Sequence, residues 1–202
     1  MVGCYNTINT MSTYIQQAQD LELKRLLQQH FPLHVADYNL KIEFVQSQST
    51  PDIERFQPSK LNPGLVSYVK APIEQYPPVV PSINGAPPND RAIATGYLLN
   101  QKSAALNYAR ALLECANPNL RSFLEKTFLN SSRHAYDIWQ YMVKKGYYPL
   151  SPAPDAEIKA IAGIYQPINQ QLQYYNQIHW INLNSKNTIV QLYFIEAVIK
   201  DN

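Results

Sequence analysis

The chain has 202 residues, of which 46% are hydrophobic and only 16% charged, with a formal net charge of +2. That length and apolar content suit one well-packed domain, or one domain with an appendage, and exclude wholesale disorder. The balanced charge, with no Lys/Arg patch, argues against nucleic acid and anionic membrane surfaces as partners. Lys144 and Lys145 come nearest to a patch, but they sit where a helix would end and its dipole favours cations. No apolar run reaches bilayer-spanning length, and Met1–Asn6 lacks the charged and apolar regions of a secretory signal. The sequence thus points to a protein kept inside the cell that makes it, or one that leaves by another route.

In chain order, residues 7–18 read as a short helix and 20–46 as a longer one that Pro32 should kink. Nine of the fifteen prolines then fall between Pro51 and Pro88, which excludes a helix there. Leu61, Leu65, Val66, Tyr68, Val69, Ile73, Val79, Val80 and Ile83 make residues 49–89 an extended crossover strapped over the helices rather than a loose tether.

The clearest helix runs from Asp90 to Ala116, capped by Asn89 or Asp90, with Ala94, Leu98, Ala105, Tyr108, Leu112 and Cys115 on one face. Ala104, Ala105, Ala109 and Ala111 would let a neighbouring helix approach closely. Pro118 stops this helix at Asn117, and Asn117 then caps a second helix with Pro118 in its first turn. That helix should bury Leu124, Phe128, Ser131, Ala135, Ile138 and Met142, and stop at Gly146. With almost no loop between them, the two helices form an antiparallel hairpin spanning 90–146. Residues 7–48 echo it at an offset of 97 (120 against 23), with Leu23 matching Leu120, Phe31 matching Phe128 and Val45 matching Met142. The fold class expected is therefore all-α: a ferritin-like, up-down four-helix bundle over 1–150, made of two hairpins and a long crossover. Residues 151–202 form a C-terminal extension, with a short helix at 155–165, a Gln/Asn/Tyr-rich stretch at 166–187 and an apolar end at 188–199 that fits either helix or strand.

Signals for chemistry are sparse. There is no Glu-x-x-His pair of the kind that holds di-iron or di-manganese in such bundles, no nucleophile elbow and no Gly-rich phosphate loop, so neither enzyme nor cofactor is expected. The one candidate metal set is His30, His34 and Asp37 with His134, which the repeat would bring near mid-bundle alongside Asp137. The alternative is that these are boundary groups bonded to one another, to Tyr hydroxyls or to the carbonyl that Pro32 frees. The missing carboxylates favour it. Cys4 and Cys115 form no metal spacing and read as a terminal thiol and a small buried hydrophobe, or as a cross-link in an oxidising assembly. Fifteen tyrosines are many for this length. Those in Gly146-Tyr-Tyr-Pro and Gln173-Tyr-Tyr-Asn sit at expected exposed breaks, as recognition surface or as sites of oxidative coupling.

Asp90-Arg-Ala-Ile-Ala-Thr-Gly-Tyr-Leu-Leu-Asn-Gln-Lys-Ser, then Asn117-Pro-Asn-Leu-Arg, then His134-Ala-Tyr-Asp-Ile-Trp-Gln-Tyr-Met and Lys145-Gly-Tyr-Tyr-Pro, resemble in their order the coat F domain of spore coat protein F and its relatives in endospore-forming bacteria. The resemblance covers 90–150 and, more weakly, 7–48. It implies a ferritin-like fold, no transferable catalytic residue, and a structural place in the spore coat after synthesis in the mother cell. Other coat proteins, or further copies of the chain, are the implied partners.

Overall fold

A computed structural model of the chain describes residues 1–47, 50–64, 77–149, 154–165 and 167. Among them the secondary structure is all-helical: α1 (Val2–Gln17), α2 (Leu21–Gln46), a 3-10 turn (Ile53–Arg55), α3 (Asp90–Glu114), α4 (Pro118–Lys144) and α5 (Asp155–Ile164). The chain divides into two compact units, Met1–Pro152 and Ala153–Asn202. In the second, α5 carries Asp155 and Glu157 in its first turn, where the dipole favours them, and buries none of its residues. The expected apolar end at 188–199, the Gln/Asn/Tyr stretch with Tyr174 and Tyr175, and crossover residues Leu65 to Ile73 lie outside the described residues.

Helix ends follow local chemistry. Asp20 accepts the Glu22 and Leu23 amides, Asn89 the Ala92 amide and Asn117 the Leu120 amide, each relieving donors that a helix start leaves without partners. α4 ends in a Schellman motif: Gly146 has φ +68°, Gly146 N–H donates to the Val143 carbonyl and Tyr147 N–H to that of Met142. α2 continues through Pro32 to Gln46. α1 begins at Val2, five residues before the expected 7 (7 − 2), and has no side-chain cap. Its first turns are held by tertiary contacts instead, Thr7 Oγ1 donating to Asn100 Oδ1 at 3.0 Å and Cys4 meeting groups of α2 and α3.

In the first unit α1 packs on α2, α3 on α4, α2 on α4 and α1 on α3, which closes a ring of four helices. Contacts along each seam set the directions. Cys4 meets Asp37, Tyr14 meets Gly96, Glu22 meets Lys144, and Phe44 stacks on Phe123, so each helix is antiparallel to both ring neighbours. In chain order the helices run up, down, down, up, and only a crossover that traverses the bundle can connect α2 to α3. Residues 53–64 make part of that traverse along α4. Lys126 Nζ donates to the Ile53 carbonyl, Ser59 N–H to Asn130 Oδ1, Arg133 to the Ser59 carbonyl and Gln140 to the Asn62 carbonyl. Farther on, Val79, Val80 and Ile83 are 57%, 86% and 92% exposed, so the strap does not extend to them.

Two apolar clusters flank a polar middle. One gathers Met11, Leu23, Leu27, Ile93, Ala94, Leu98, Ile138 and Met142, and the other Leu40, Phe56 and Phe123. In the second lies a departure from the expected pattern: α4 buries Phe123 and Thr127, while Leu124 and Phe128 are half-buried. Phe56, from the crossover, meets the Phe123 ring edge-on at 5.8 Å, so the buried face turns toward the strap as well as toward α2. α1 and α3 also come close at a glycine. A Cβ at Gly96 would stand 2.6 Å from the Tyr14 hydroxyl, so the glycine leaves the room that this side chain of α1 occupies on α3. Tyr147 and Tyr148, expected at an exposed break, pack half-buried against the first cluster, under Arg91 and Lys102.

The two hairpins are tied at one end by carboxylates. Asp90 accepts the Gln19 amide at 2.9 Å and the Asp20 amide at 3.0 Å, while Lys145 reaches Asp20 at 2.6 Å. Asp90→Ala removes two charge-assisted acceptors at once and is expected to cost about 1–3 kcal/mol, read as a lower urea midpoint with an unchanged slope.

Candidate functional site

The polar middle of the bundle is built on one hydroxyl. Tyr97, on α3 and 1% exposed, places its Oη 3.0 Å from His30 Nδ1, 3.0 Å from His34 Nε2 and 3.4 Å from His134 Nδ1. His30 and His34 are one turn apart on α2, at i and i+4, so both point from the same face. His134 comes from α4, one turn before Ile138. The His30 and His134 rings stack with centroids 3.6 Å apart and planes 10° from parallel, and His34 Nε2 lies 3.1 Å from His134 Nδ1.

A proton arrangement that serves the cluster starts at its edge. His30 Nε2 is 3.2 Å from the Asp137 carboxylate, which orients that ring as an Nε2–H donor. Its Nδ1 then accepts the Tyr97 proton, and the phenol oxygen is free to accept from His34. His134 Nε2 is buried with no partner. Neither of the inner rings tolerates a second proton. Burial, then His30, then Lys41 push His34 down to about 3, and burial, then His30, then His34 hold His134 well below the usual imidazole range. Burial and the Asp137 charge raise Tyr97, which stays a neutral phenol.

Asp37, the fourth candidate ligand, is not part of this group. It is 5% exposed and faces Lys41, whose Nζ lies 2.6 Å from both carboxylate oxygens, and it accepts the Tyr108 hydroxyl at 3.0 Å. Cys4 Sγ joins them, 3.1 Å from Lys41 Nζ and 3.4 Å from Tyr108 Oη. His34 and Asp37 line a common pocket of about 260 Å³, with Cys4, Lys41, Gln101, Tyr108 and Ser131 around it. On the opposite side His30 and Asp137 border a second pocket of about 230 Å³, under Asn62 and Gly64 of the crossover.

These donors do not fit the carboxylate-bridged pair of metals that such bundles hold. Among the described residues Asp137 is the one carboxylate touching the imidazoles, the stacked rings aim their nitrogens within parallel planes, and the Tyr97 hydroxyl occupies the point where the nitrogens converge. Among the described residues no group of three or more His, Cys, Asp or Glu is placed to hold a metal ion. Two members of the cluster, Tyr97 and Asp137, carried a sequence signal only in part. Asp137 was visible as the i+3 neighbour of His134, whereas Tyr97 sits between Gly96 and Leu98 with nothing local to mark it as polar core.

Acid should loosen this centre. Below pH 6.5 the unfolded chain takes up protons at His34 and His134 that the folded state refuses, so stability present above pH 6.5 is lost as pH falls toward the folded values. Between pH 6.5 and 4.5, above most carboxylate titrations, urea unfolding should lose on the order of 1.4 kcal/mol per pH unit for each ring. His34→Gln should flatten that slope by about one ring's share.

No helix among the described residues is long and apolar enough to cross a membrane. No curated protein and no solved structure matches the chain. Residues 89–151 do match a family model, that of the Coat F domain. The match begins at the Asn89 cap, takes in α3 with Tyr97 and Tyr108, and runs through α4 past the Gly146 stop. The helical hairpin of α3 and α4 is thus similar to the Coat F domain, the domain of spore coat protein F.

Proposed function

We propose that the protein is a non-enzymatic structural component of the bacterial spore coat, a ferritin-like helical bundle that assembles with other coat proteins. The observation that carries this reading is the Coat F match over α3 and α4. The up-down-down-up order supports the ferritin-like connectivity, because such bundles need one long crossover. A duplicated hairpin fits the same picture: His30, His34 and Asp37 on α2 stand at the repeat positions of Thr127, Ser131 and His134 on α4, and all six are buried. Surface character supports assembly. Leu99, Leu106 and Leu113 recur every seventh residue along α3 and are 60%, 68% and 67% exposed, an apolar stripe that partners in a coat would cover. Low net charge weakens the repulsion between neighbours in a dense shell.

Synthesis in the mother cell and deposition on the forespore follow from this reading. In an endospore-forming host carrying a tagged copy, the chain is expected in the detergent- and alkali-extractable coat fraction of purified spores. Recovery only from the mother-cell lysate would instead identify a soluble protein of sporulating cells.

A second reading, metal binding by His30, His34 and His134, is favoured by three imidazoles meeting in one buried place with His134 Nε2 unpartnered. Elemental analysis of protein purified without a metal-affinity tag separates the two. The coat reading expects less than a tenth of an equivalent (~0.1) of iron, manganese or zinc, whereas a tightly held ion would be near stoichiometric.

A further inference from the structure

The family match and the imidazole cluster leave one group of reactive side chains unused. Cys4 on α1, Lys41 and Asp37 on α2 and Tyr108 on α3 meet around one wall of the 260 Å³ pocket. Lys41 Nζ is 3.1 Å from Cys4 Sγ and 2.6 Å from Asp37, and the thiol faces the same carboxylate at 3.7 Å. A thiol and an amine in contact, with a carboxylate able to take a proton from either, form an unusual pair for a purely structural seam. Cys115, by contrast, meets a backbone carbonyl at 3.6 Å. The pocket also offers a place for a small polar reactant. Gln101, fully buried, lines it with Oε1 lacking a partner among the described residues, which leaves an acceptor for a molecule that brings O–H donors. Burial and the Asp37 charge raise Tyr108, so its hydroxyl stays protonated and keeps the bond it donates to Asp37.

We propose that Cys4 and Lys41 are a peroxide-driven cross-linking pair, and that hydrogen peroxide admitted to this pocket converts their contact into a covalent sulfur–nitrogen staple between α1 and α2. In the first step the Cys4 proton passes to Asp37 and the sulfur attacks peroxide. An S–O bond forms, the O–O bond breaks, and the departing hydroxide takes the proton back as water, leaving the sulfenic acid. In the second step Lys41 gives a proton to Asp37 and its lone pair attacks the sulfenyl sulfur. The S–N bond forms, the S–O bond breaks, the hydroxyl leaves as a second water, and the surplus ammonium proton goes to solvent. Peroxide is the oxidant and sulfur is oxidised, so one thiol, one ammonium and one peroxide give a sulfenamide, two waters and one proton. The staple closes on groups already in contact, and lysine's flexible stem takes up the remaining distance. Asp37 keeps its bond to Tyr108. The inference rests on the pocket and not on the coat reading, and either can fail alone.

The test treats the purified full chain, with Cys115→Ala to remove the other thiol, with hydrogen peroxide before tryptic digestion and mass spectrometry. The expected result is loss of cleavage after Lys41 and a linked species joining Met1–Lys24 to Leu26–Arg55, lighter by two hydrogens than the sum of its parts. A thiol reductant should restore cleavage. Lys41→Arg should abolish the linked species and leave a Cys4 sulfenic acid that a cyclic 1,3-dicarbonyl probe labels. Probe labelling of Cys4 in the Lys41-containing protein, with cleavage after Lys41 intact, would overturn the proposal, as would a Cys4 that peroxide leaves untouched.

Discussion

One hydroxyl, that of Tyr97, sets the terms for the middle of this bundle. It is buried, and so are the imidazoles of His30, His34 and His134 around it. Unpartnered polar groups in such a place would each cost on the order of 1–3 kcal/mol, so α2, α3 and α4 are confined to the one register in which Tyr97 reaches both histidines of α2 and the one on α4. Apolar contacts alone would tolerate sliding by a residue or two. The stacking of His30 on His134 and the Asp137 contact at the edge tighten the same register further. The inner rings must also stay neutral, because burial opposes a charge there and no carboxylate among the described residues compensates one at His34 or His134.

Around that polar layer the bundle is closed at both ends by different means. At the Asp90 end the closure is polar: one carboxylate receives the amides of the α1–α2 turn, and Lys145 and Lys144 pair with Asp20 and Glu22. At the other end it is aromatic, with Phe44, Phe56 and Phe123 in contact and the crossover laid along α4. The crossover is thus more than a connection. Phe56, 2% exposed, completes the lower core and supplies area that a four-helix arrangement of these lengths would otherwise leave open to water. A bundle of this build leaves Leu99, Leu106 and Leu113 exposed in a stripe along α3.

The candidate site was legible in its parts but not in its pairings. His30 and His34 at one-turn spacing, and His134 three residues before Asp137, marked two helix faces that would meet. The partners were decided across the bundle. Asp37, which the repeat paired with His134, turned to Lys41 because the i,i+4 amine on its own helix is nearer than any imidazole. Asp137 went to His30 rather than to its neighbour His134. Tyr97 left no trace in the sequence, since an aromatic residue on the buried face of a helix is ordinary core until its hydroxyl is seen to have a purpose. Cys4 and Lys41 stand 37 residues apart (41 − 4) and meet only because α1 and α2 fold back on each other.

Apart from the start of α1, the helix boundaries were determined by the sequence itself, because they depend on groups within a few residues. Asn89 and Asn117 each accept the amide three residues on, a bond that needs no distant contact. Pro118 and Gly146 act through their own backbone conformations. The all-helical class and the antiparallel pairing of α3 with α4 follow from the same local rules and a short turn. What tertiary structure decided was every question of facing. The start of α1 at Val2 depends on α2 and α3 receiving Cys4 and Thr7, and the burial of Phe123 in place of Leu124 depends on a phenylalanine 67 residues earlier (123 − 56). A periodic pattern shows that a helix has an apolar side, but about 100° of rotation separates one residue from the next, and only the neighbour's shape chooses among adjacent stripes.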